Sequence, residues 1–401
     1  ILLHMIWEVL QKVVFKWPST LIQKLIKFKR PMNVGISILI LIGLHSCKTS
    51  KKDISYLKES IEPPSTFIAT NSDYQTNPVE PNSIIMGYLI DGYKPTDDQF
   101  KNLSHIGISF LRADNIKGDV VMTDGWDNID EVVSSAHKND VKAIISFGGG
   151  SYIVTSELMG VKKNRQNLIK NIVRFMAKHN LDGFDCDWEP SWLDDKKEME
   201  SVNNAISHHY IKFIKELRIA IDAEFGKGEK SFSAAVMNAN NIWYSDQKQI
   251  SHFPQNGWWH FLDWVALMNY DNDLGAKHST FESVYGPNGS VKYWNSFGVP
   301  LEKIVTGIPF YARAGWGEEW LFYKDIVKMN TNLSFETDFI MYKKNGLNEK
   351  EYGFNGKSTI VKKVQENKKL NLPGIMFWQL AGDVEVNSEH SLLRAINKNL
   401  N

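Results

Sequence analysis

The stretch Asp182-Gly183-Phe184-Asp185-Cys186-Asp187-Trp188-Glu189 decides the reading of this chain. In a strand, successive side chains point to opposite faces, so Asp185, Asp187 and Glu189 share one face. Phe184, Cys186 and Trp188 share the other. A solvated acidic face would leave polar residues on the opposite phase, and here that phase is apolar and aromatic. Both faces therefore cannot be solvated, and in a barrel the acidic face can be the interior. A buried row of like charges has to hold shared protons or hydrogen bonds, an arrangement that structure alone rarely calls for.

Working outward, short β-branched runs alternate with helical patterns from Ser83 onward. The strand candidates are 83–89, 104–110, 141–146, 181–188, 231–237, 263–270, 303–311 and 373–379, eight in all. Between them, Ile129, Val132, Val133 and Ala136 keep helical spacing, as do Leu168, Ile172, Phe175 and Met176. Ile206, Tyr210, Phe213, Ile214, Leu217 and Ile221 form a third stripe, and Leu392, Leu393 and Ile396 a last one. Eight strands alternating with helices predict an α/β chain folded as a (β/α)8 TIM barrel, a single catalytic domain over 83–401. A doubly wound sheet would want a glycine-rich phosphate turn after its first strand, and Leu89-Ile90-Asp91-Gly92-Tyr93 does not supply one. In such barrels the chemistry sits at the C-terminal ends of the strands, where the acidic row ends.

Composition narrows the function. Lys plus Arg and Asp plus Glu are each 46 of 401 residues, so the formal net charge is zero and no nucleic-acid partner is expected. The two cysteines, Cys47 and Cys186, are too few for a disulfide-stapled or Cys-rich metal domain. The eleven His show no His-Glu-x-x-His spacing, and His208-His209 sits on a helical pattern. A calcium loop starting at Asp271 fails because Gly275 stands where a ligand belongs and Ala276 where glycine is needed. No metal and no cofactor are expected. Ser146-Phe147-Gly148-Gly149 is not a phosphate-binding P-loop, since no Gly-Lys-Ser/Thr follows.

The N-terminal part reads differently. Residues 1–31 carry six Lys or Arg against Glu8, and the apolar run Val34–Leu44 ends in Leu44-His45-Ser46-Cys47. Eleven residues are too short to span a bilayer but suit an export signal. Residues 1–46 are therefore expected to be a leader, and 47–82, with Pro63, Pro64, Pro78 and Pro81, a Pro/Ser/Asn-rich tether. The box before Cys47 resembles a bacterial lipoprotein cleavage site. That implies lipidation of Cys47, membrane attachment through the lipid, and an exported envelope lipoprotein or a secreted protein.

The row Asp182-x-x-Asp185-x-Asp187-x-Glu189 resembles the signature of glycoside hydrolase family 18, the chitinases. Ser146-Phe147-Gly148-Gly149 resembles its Ser-x-Gly-Gly motif, Met268-Asn269-Tyr270-Asp271 its Met-x-Tyr-Asp motif, and Phe377-Trp378 its eighth strand. The resemblance spans 83–383. It implies a chitinase-like enzyme that cleaves β-1,4 linkages between N-acetylglucosamine units with retention of configuration. In that mechanism the substrate's own acetamide oxygen attacks the anomeric carbon. Glu189 is implied as general acid and then base, with Asp187 stabilising the acetamide N–H. Asp185 is implied to share a proton with Asp187, and Tyr270 to hydrogen-bond the acetamide oxygen. Trp378 is implied as the floor under the distorted sugar. Substrate contacts are implied for Tyr88, Phe110, Gly148, Gly149, Met268, Asp271, Tyr311 and Arg313. Asp182, out of phase with the row, is expected to be a structural acid.

The implied partner is chitin or chito-oligosaccharide, and a monomer is expected. Gly315 to Leu372, 58 residues that include a helix candidate after Ser358, leaves little room for a full insertion domain. Competing functions are an endo-β-N-acetylglucosaminidase acting on N-glycan cores, a chitin-binding lectin and a peptidoglycan hydrolase. Retention of Glu189 disfavours the lectin.

Overall fold

The computed structural model describes residues 69–70, 72–150, 152, 154–189, 209–238, 257–271, 277–315, 320–343 and 349–401. Cys47, the apolar run before it and Ile206 of the third helical stripe lie outside the described residues. Within the stretch expected as a tether, Ala69 is buried and the Tyr74 hydroxyl bonds to the Asp222 carboxylate. Asn82 N–H donates to the Leu372 carbonyl at 3.0 Å. The end of that stretch is thus docked on the barrel.

Eight parallel strands close on themselves: β1 (Ile84–Leu89), β2 (His105–Ala113), β3 (Lys142–Gly148), β4 (Gly183–Asp187), β5 (Ser231–Met237), β6 (Trp264–Met268), β7 (Ile304–Pro309) and β8 (Gly374–Trp378). Each pairs with its sequence neighbour, and β1 pairs with both β2 and β8, which closes the barrel. All eight expected strands are present, with ends set by pairing partners. The run at 104–110 continues to Ala113 because Leu111–Ala113 pairs antiparallel with Val120–Met122. The run at 303–311 ends its barrel ladder at Pro309, after which Tyr311–Ala312 turns to pair with Leu321–Phe322. The fourth run is shorter than expected because its ladder with β3 ends at the pair Gly148↔Asp187. Trp188 and Glu189 thus stand beyond the ladder, at the barrel mouth.

The period-two pattern separates two cores. Met86, Tyr88, Ile144, Ala266, Val305 and Met376 fill the barrel interior. Leu89, Ile145, Phe184, Cys186, Leu267 and Phe377 face outward onto the helices. Those helices include α1 (Ile129–Lys138), α2 (Lys162–Lys178), α3 (Tyr210–Phe225), α4 (Lys357–Lys369) and α5 (Leu392–Leu400). Their buried stripes are the apolar positions of the sequence pattern, such as Ile129, Val132, Val133 and Ala136 on α1. Asp130 and Glu131 in its first turn and His137 and Lys138 in its last suit the helix dipole. Burying these apolar stripes against the outward side chains of the strands removes both from water, which is the main force closing the barrel. Between β7 and β8 lie a short helix, Tyr323–Met329, and the antiparallel pair Phe339–Tyr342 and Lys350–Gly353. Arg313 is joined to that pair by two backbone bonds with Gly353, at 3.0 and 2.9 Å.

Candidate active site

The acidic row follows from the outward anchoring of β4. Trp188 is fully buried and packs on Tyr210 and Phe213 of α3, with ring centroids 5.1 and 6.3 Å away. Cys186 is buried on the same face, and burial pushes its thiol well above its ordinary value. With those side chains fixed outward, Asp185 and Asp187 must point into the barrel, and Glu189 stands at its mouth.

The three acids sit in graded surroundings. Asp185 is fully buried and accepts three hydroxyl donors: Ser233 at 2.7 Å, Ser146 at 2.9 Å and Tyr88 at 2.9 Å. Burial raises its carboxyl, and the three hydroxyls oppose that rise. Its hydrogen bonds all come from hydroxyls and none from Asp187. Asp187 is also buried, and its Oδ1 has no hydrogen-bond partner. Burial, then the charges of Glu189 and Asp185, hold it well above the carboxylate range, while Arg112 pulls it down. Glu189 is half-buried; desolvation first, then Asp271, push it up to about 7. Arg313, Arg112 and the Gly150 N–H oppose that rise. Two such neighbouring carboxyls do not both ionise readily, so a proton is retained near neutrality.

A cavity of about 300 Å³ opens over the row. Asp187, Glu189, Met268, Tyr270 and Asp271 line it. Phe110, Tyr311, Arg313 and Trp378 complete most of the remaining wall, with Gly150 and Trp320. Nine residues singled out in the sequence thus meet in one space. Trp378 stacks on Phe110, centroids 5.6 Å apart and planes at 17°, and touches Tyr88 at 5.7 Å. Among the described residues the Tyr270 hydroxyl meets only the weak acceptor Met376 Sδ at 3.8 Å. Asp271 Oδ1 accepts from the Tyr311 hydroxyl at 2.8 Å and lies 3.5 Å from Arg313 Nε.

Tyr88, Asp185, Gly148 and Gly149 lie beneath the cavity rather than in its wall. Gly149 N–H donates to the Asp187 carbonyl at 2.8 Å, which ties the β3 loop to the acidic row. Asp182 lies apart from the site. Its carboxylate accepts from Ala143 N–H at 2.8 Å and meets His137 Nε2 at 2.7 Å.

Four contributors were not singled out as site residues. Ser233 holds Asp185, and a small polar residue on the inward phase of β5 was its only signal. Arg112 donates to the carbonyls of Gly148 at 3.0 Å and Gly150 at 3.4 Å. Trp320 lines the cavity from a loop without periodicity. His278 lies behind Asp271, 3.8 Å from its carboxylate.

Residues 83–383 match the family model for Glycosyl hydrolases family 18, and the chain belongs to that family. It is similar to the GH18 chitinase ChiB from the chitin utilization locus of Flavobacterium johnsoniae. The two are 26% identical with a TM-score of 0.60, covering 81% of this chain and 94% of that one. A class V chitinase of Lotus japonicus, CHIT5, is 27% identical over 278 residues, 61% of this chain and 67% of the relative. A GH18 chitinase from Cycas revoluta, solved in complex with (GlcNAc)3, shares the fold. Its TM-score is 0.63 at 19% identity, covering 79% of this chain and 99% of that one.

Proposed function

We propose that this chain is a retaining glycoside hydrolase that cleaves β-1,4 linkages between N-acetylglucosamine units, with the substrate's acetamide as nucleophile. The observation that carries this reading is the buried Asp187 Oδ1, an acceptor without a donor, lining a cavity beside an acid held near pH 7. A carboxylate oxygen in that position suits an N–H on the substrate, and the acetamide supplies one.

Glu189 donates its proton to the glycosidic oxygen as the C–O bond breaks. The acetamide oxygen attacks the anomeric carbon from the opposite side, giving an oxazolinium ion. Asp187 balances its positive charge through the N–H, and Tyr270 hydrogen-bonds the acetamide oxygen. Glu189, now a carboxylate, takes a proton from water, which opens the ring with net retention. Asp187 is poorly placed as the nucleophile. It lies on the same strand face as Glu189, about 6.6 Å along the strand, and approaches the sugar from the same side. Trp378, stacked on Phe110, offers an apolar floor to the sugar ring.

The chito-oligosaccharide assignment is supported by the family match and by the (GlcNAc)3 bound to the Cycas protein. The test is incubation with chito-oligosaccharides, cello-oligosaccharides, deacetylated chitosan and a high-mannose glycopeptide. Cleavage of the first with a β-anomeric product, and not of the second or third, is expected. Efficient cleavage of a cello-oligosaccharide would refute the mechanism. Cleavage of the glycopeptide alone would replace the substrate, and binding without cleavage would make the protein a lectin. We further propose that Cys47 carries a lipid anchor in an exported protein. Cys47→Ala should then move the protein from the membrane fraction to the soluble one.

A further inference from the structure

We propose that His278 is a positioning residue that holds the Asp271–Tyr311 pair at the mouth of the site, a role that rests on the hydrolase reading above. Asp271 and Tyr311 are 40 positions apart and come from different strand ends, yet the Tyr311 hydroxyl donates to Asp271 Oδ1 at 2.8 Å. His278 bridges their backbones. The Asp271 N–H reaches its Nδ1 at 3.2 Å, and its Nε2 lies 3.1 Å from the Tyr311 carbonyl. An amide N–H can only donate and a carbonyl can only accept, so the tautomer is forced: Nδ1 bare, Nε2 protonated, ring neutral. The imidazole also packs edge-on against the Tyr311 ring, centroids 4.8 Å apart.

The bridge matters most at Asp271, whose φ is +57°, a left-handed conformation uncommon outside glycine. The bond from its N–H to His278 helps to hold that turn, and the turn aims the carboxylate into the cavity. His278 is itself held from behind. The Ser279 carbonyl accepts from Lys363 Nζ of α4 at 2.5 Å, and that ammonium also reaches Asn355 Oδ1 at 2.7 Å. Ser279 N–H donates to the Asn269 carbonyl at 3.3 Å, at the end of β6.

Asp271 also acts on the acid. Among the described residues, the charged groups acting on Glu189 are Asp187 of its own strand, Asp271 and Arg313 across the mouth, and Arg112 from β2. Those facing His278 are Asp271, Arg313 and Lys363. Asp271 raises the Glu189 carboxyl, so swinging Asp271 away lowers it. Glu189 must be protonated to act as the acid, and the alkaline limb of kcat/KM then moves to lower pH.

The test uses His278→Leu, His278→Asn and His278→Gln with a chromogenic chito-oligosaccharide across pH, beside Asp271→Asn and the His278→Leu/Asp271→Asn double variant. His278→Leu should lower kcat/KM about tenfold to a hundredfold, the effect of a misplacement approaching 1 Å. It should also shift the alkaline limb downward, as Asp271→Asn does. The double variant should lose far less than the product of the two single losses. Asn keeps the acceptor and Gln the donor, so both should fall between wild type and Leu. They carry the test if Leu does not fold. Nitrogen NMR of His278 should show the neutral Nε2–H form from pH 5 to 8. An Nδ1–H or doubly protonated ring would overturn the proposal. So would activity losses with an unmoved limb and multiplicative behaviour in the double variant. Failure of the wild type to cleave any chito-oligosaccharide would refute the hydrolase reading and this role with it. Normal cleavage with silent His278 variants would refute this role alone.

Discussion

Gly148→Ala should disable the site through backbone geometry alone. A Cβ added at Gly148 would lie 2.1 Å from the Asp187 carbonyl oxygen, and the residue has φ +117°. A carbon–oxygen contact settles near 3.3 Å, so the loop or the strand must give by about 1.2 Å. The atom that must move is the main chain of Asp187, which also accepts the Gly149 N–H at 2.8 Å. Displacing a catalytic group by about 1 Å costs roughly a hundredfold in rate. The conformation itself costs about 1–3 kcal/mol for a side chain, and the strained backbone bond about 1 kcal/mol more. For a domain of this size that corresponds to a fall in Tm of about 3–6 °C.

Gly150→Ala is the internal control. A Cβ there would meet Glu189 Oε1 at 3.6 Å, an ordinary contact, and no other atom of the described residues within 4 Å. The assay is kcat and KM on a chromogenic chito-oligosaccharide, with thermal melts of both variants. Gly148→Ala should lose about a hundredfold in kcat with KM little changed, whereas Gly150→Ala should stay within about threefold of wild type. Equal damage from the two substitutions, or an active Gly148→Ala enzyme, would refute the coupling of this loop to Asp187.

Glu189→Gln should lower kcat by about 10²–10⁴ while an oligosaccharide still binds, read by calorimetry. Because Glu189 is held up to about 7 and acts as the protonated acid, kcat/KM should fall as pH rises through that value. Arg112 lowers both Asp187 and Glu189, so Arg112→Met should move the alkaline limb to higher pH, opposite to Asp271→Asn. Cys186 should resist a bulky thiol reagent in the folded protein, and rapid labelling would contradict the outward phase of β4.

The barrel was legible because its alternation of strands and helices is written in the chain. Short β-branched runs marked all eight strands, and the 3.6-residue stripes marked helices that cover them. The inward phase of Asp185 and Asp187 followed from the apolar phase of Phe184, Cys186 and Trp188 together with the barrel, whose interior is the face left to the acids. Arg112, His278 and Trp320 were not legible for a common reason. Each lies beyond the C-terminal end of a barrel ladder, His278 and Trp320 in irregular backbone and Arg112 where β2 leaves the barrel to pair with Val120–Met122, and each acts on residues distant in sequence. Arg112 reaches Gly148, 36 positions on, and His278 the Tyr311 carbonyl, 33 positions on. Ser233 is the instructive middle case. A lone hydroxyl on the inward phase of an apolar run has to bond something inside the barrel, and the buried carboxylate of Asp185 was available to it.

Three acids on one strand face can do different work because the barrel grades their surroundings with depth. At the bottom Asp185 accepts from Ser146, Ser233 and Tyr88, which oppose the rise that burial imposes on its carboxyl. In the middle Asp187 has an unpartnered Oδ1 and a carboxyl raised by burial. It gains a strong bond when the substrate's N–H carries rising positive charge, which is when the transition state needs it. At the mouth desolvation, and then the charge of Asp271, raise Glu189 to about 7 against the pull of Arg313 and Arg112. A proton donor that must later recover its proton from water works best there. The ordering of buried acceptor, unpartnered acceptor and near-neutral acid thus follows the depth of each residue along one strand face. The aromatic anchors Trp188 and Tyr210 on the reverse face keep that strand from rotating out of phase.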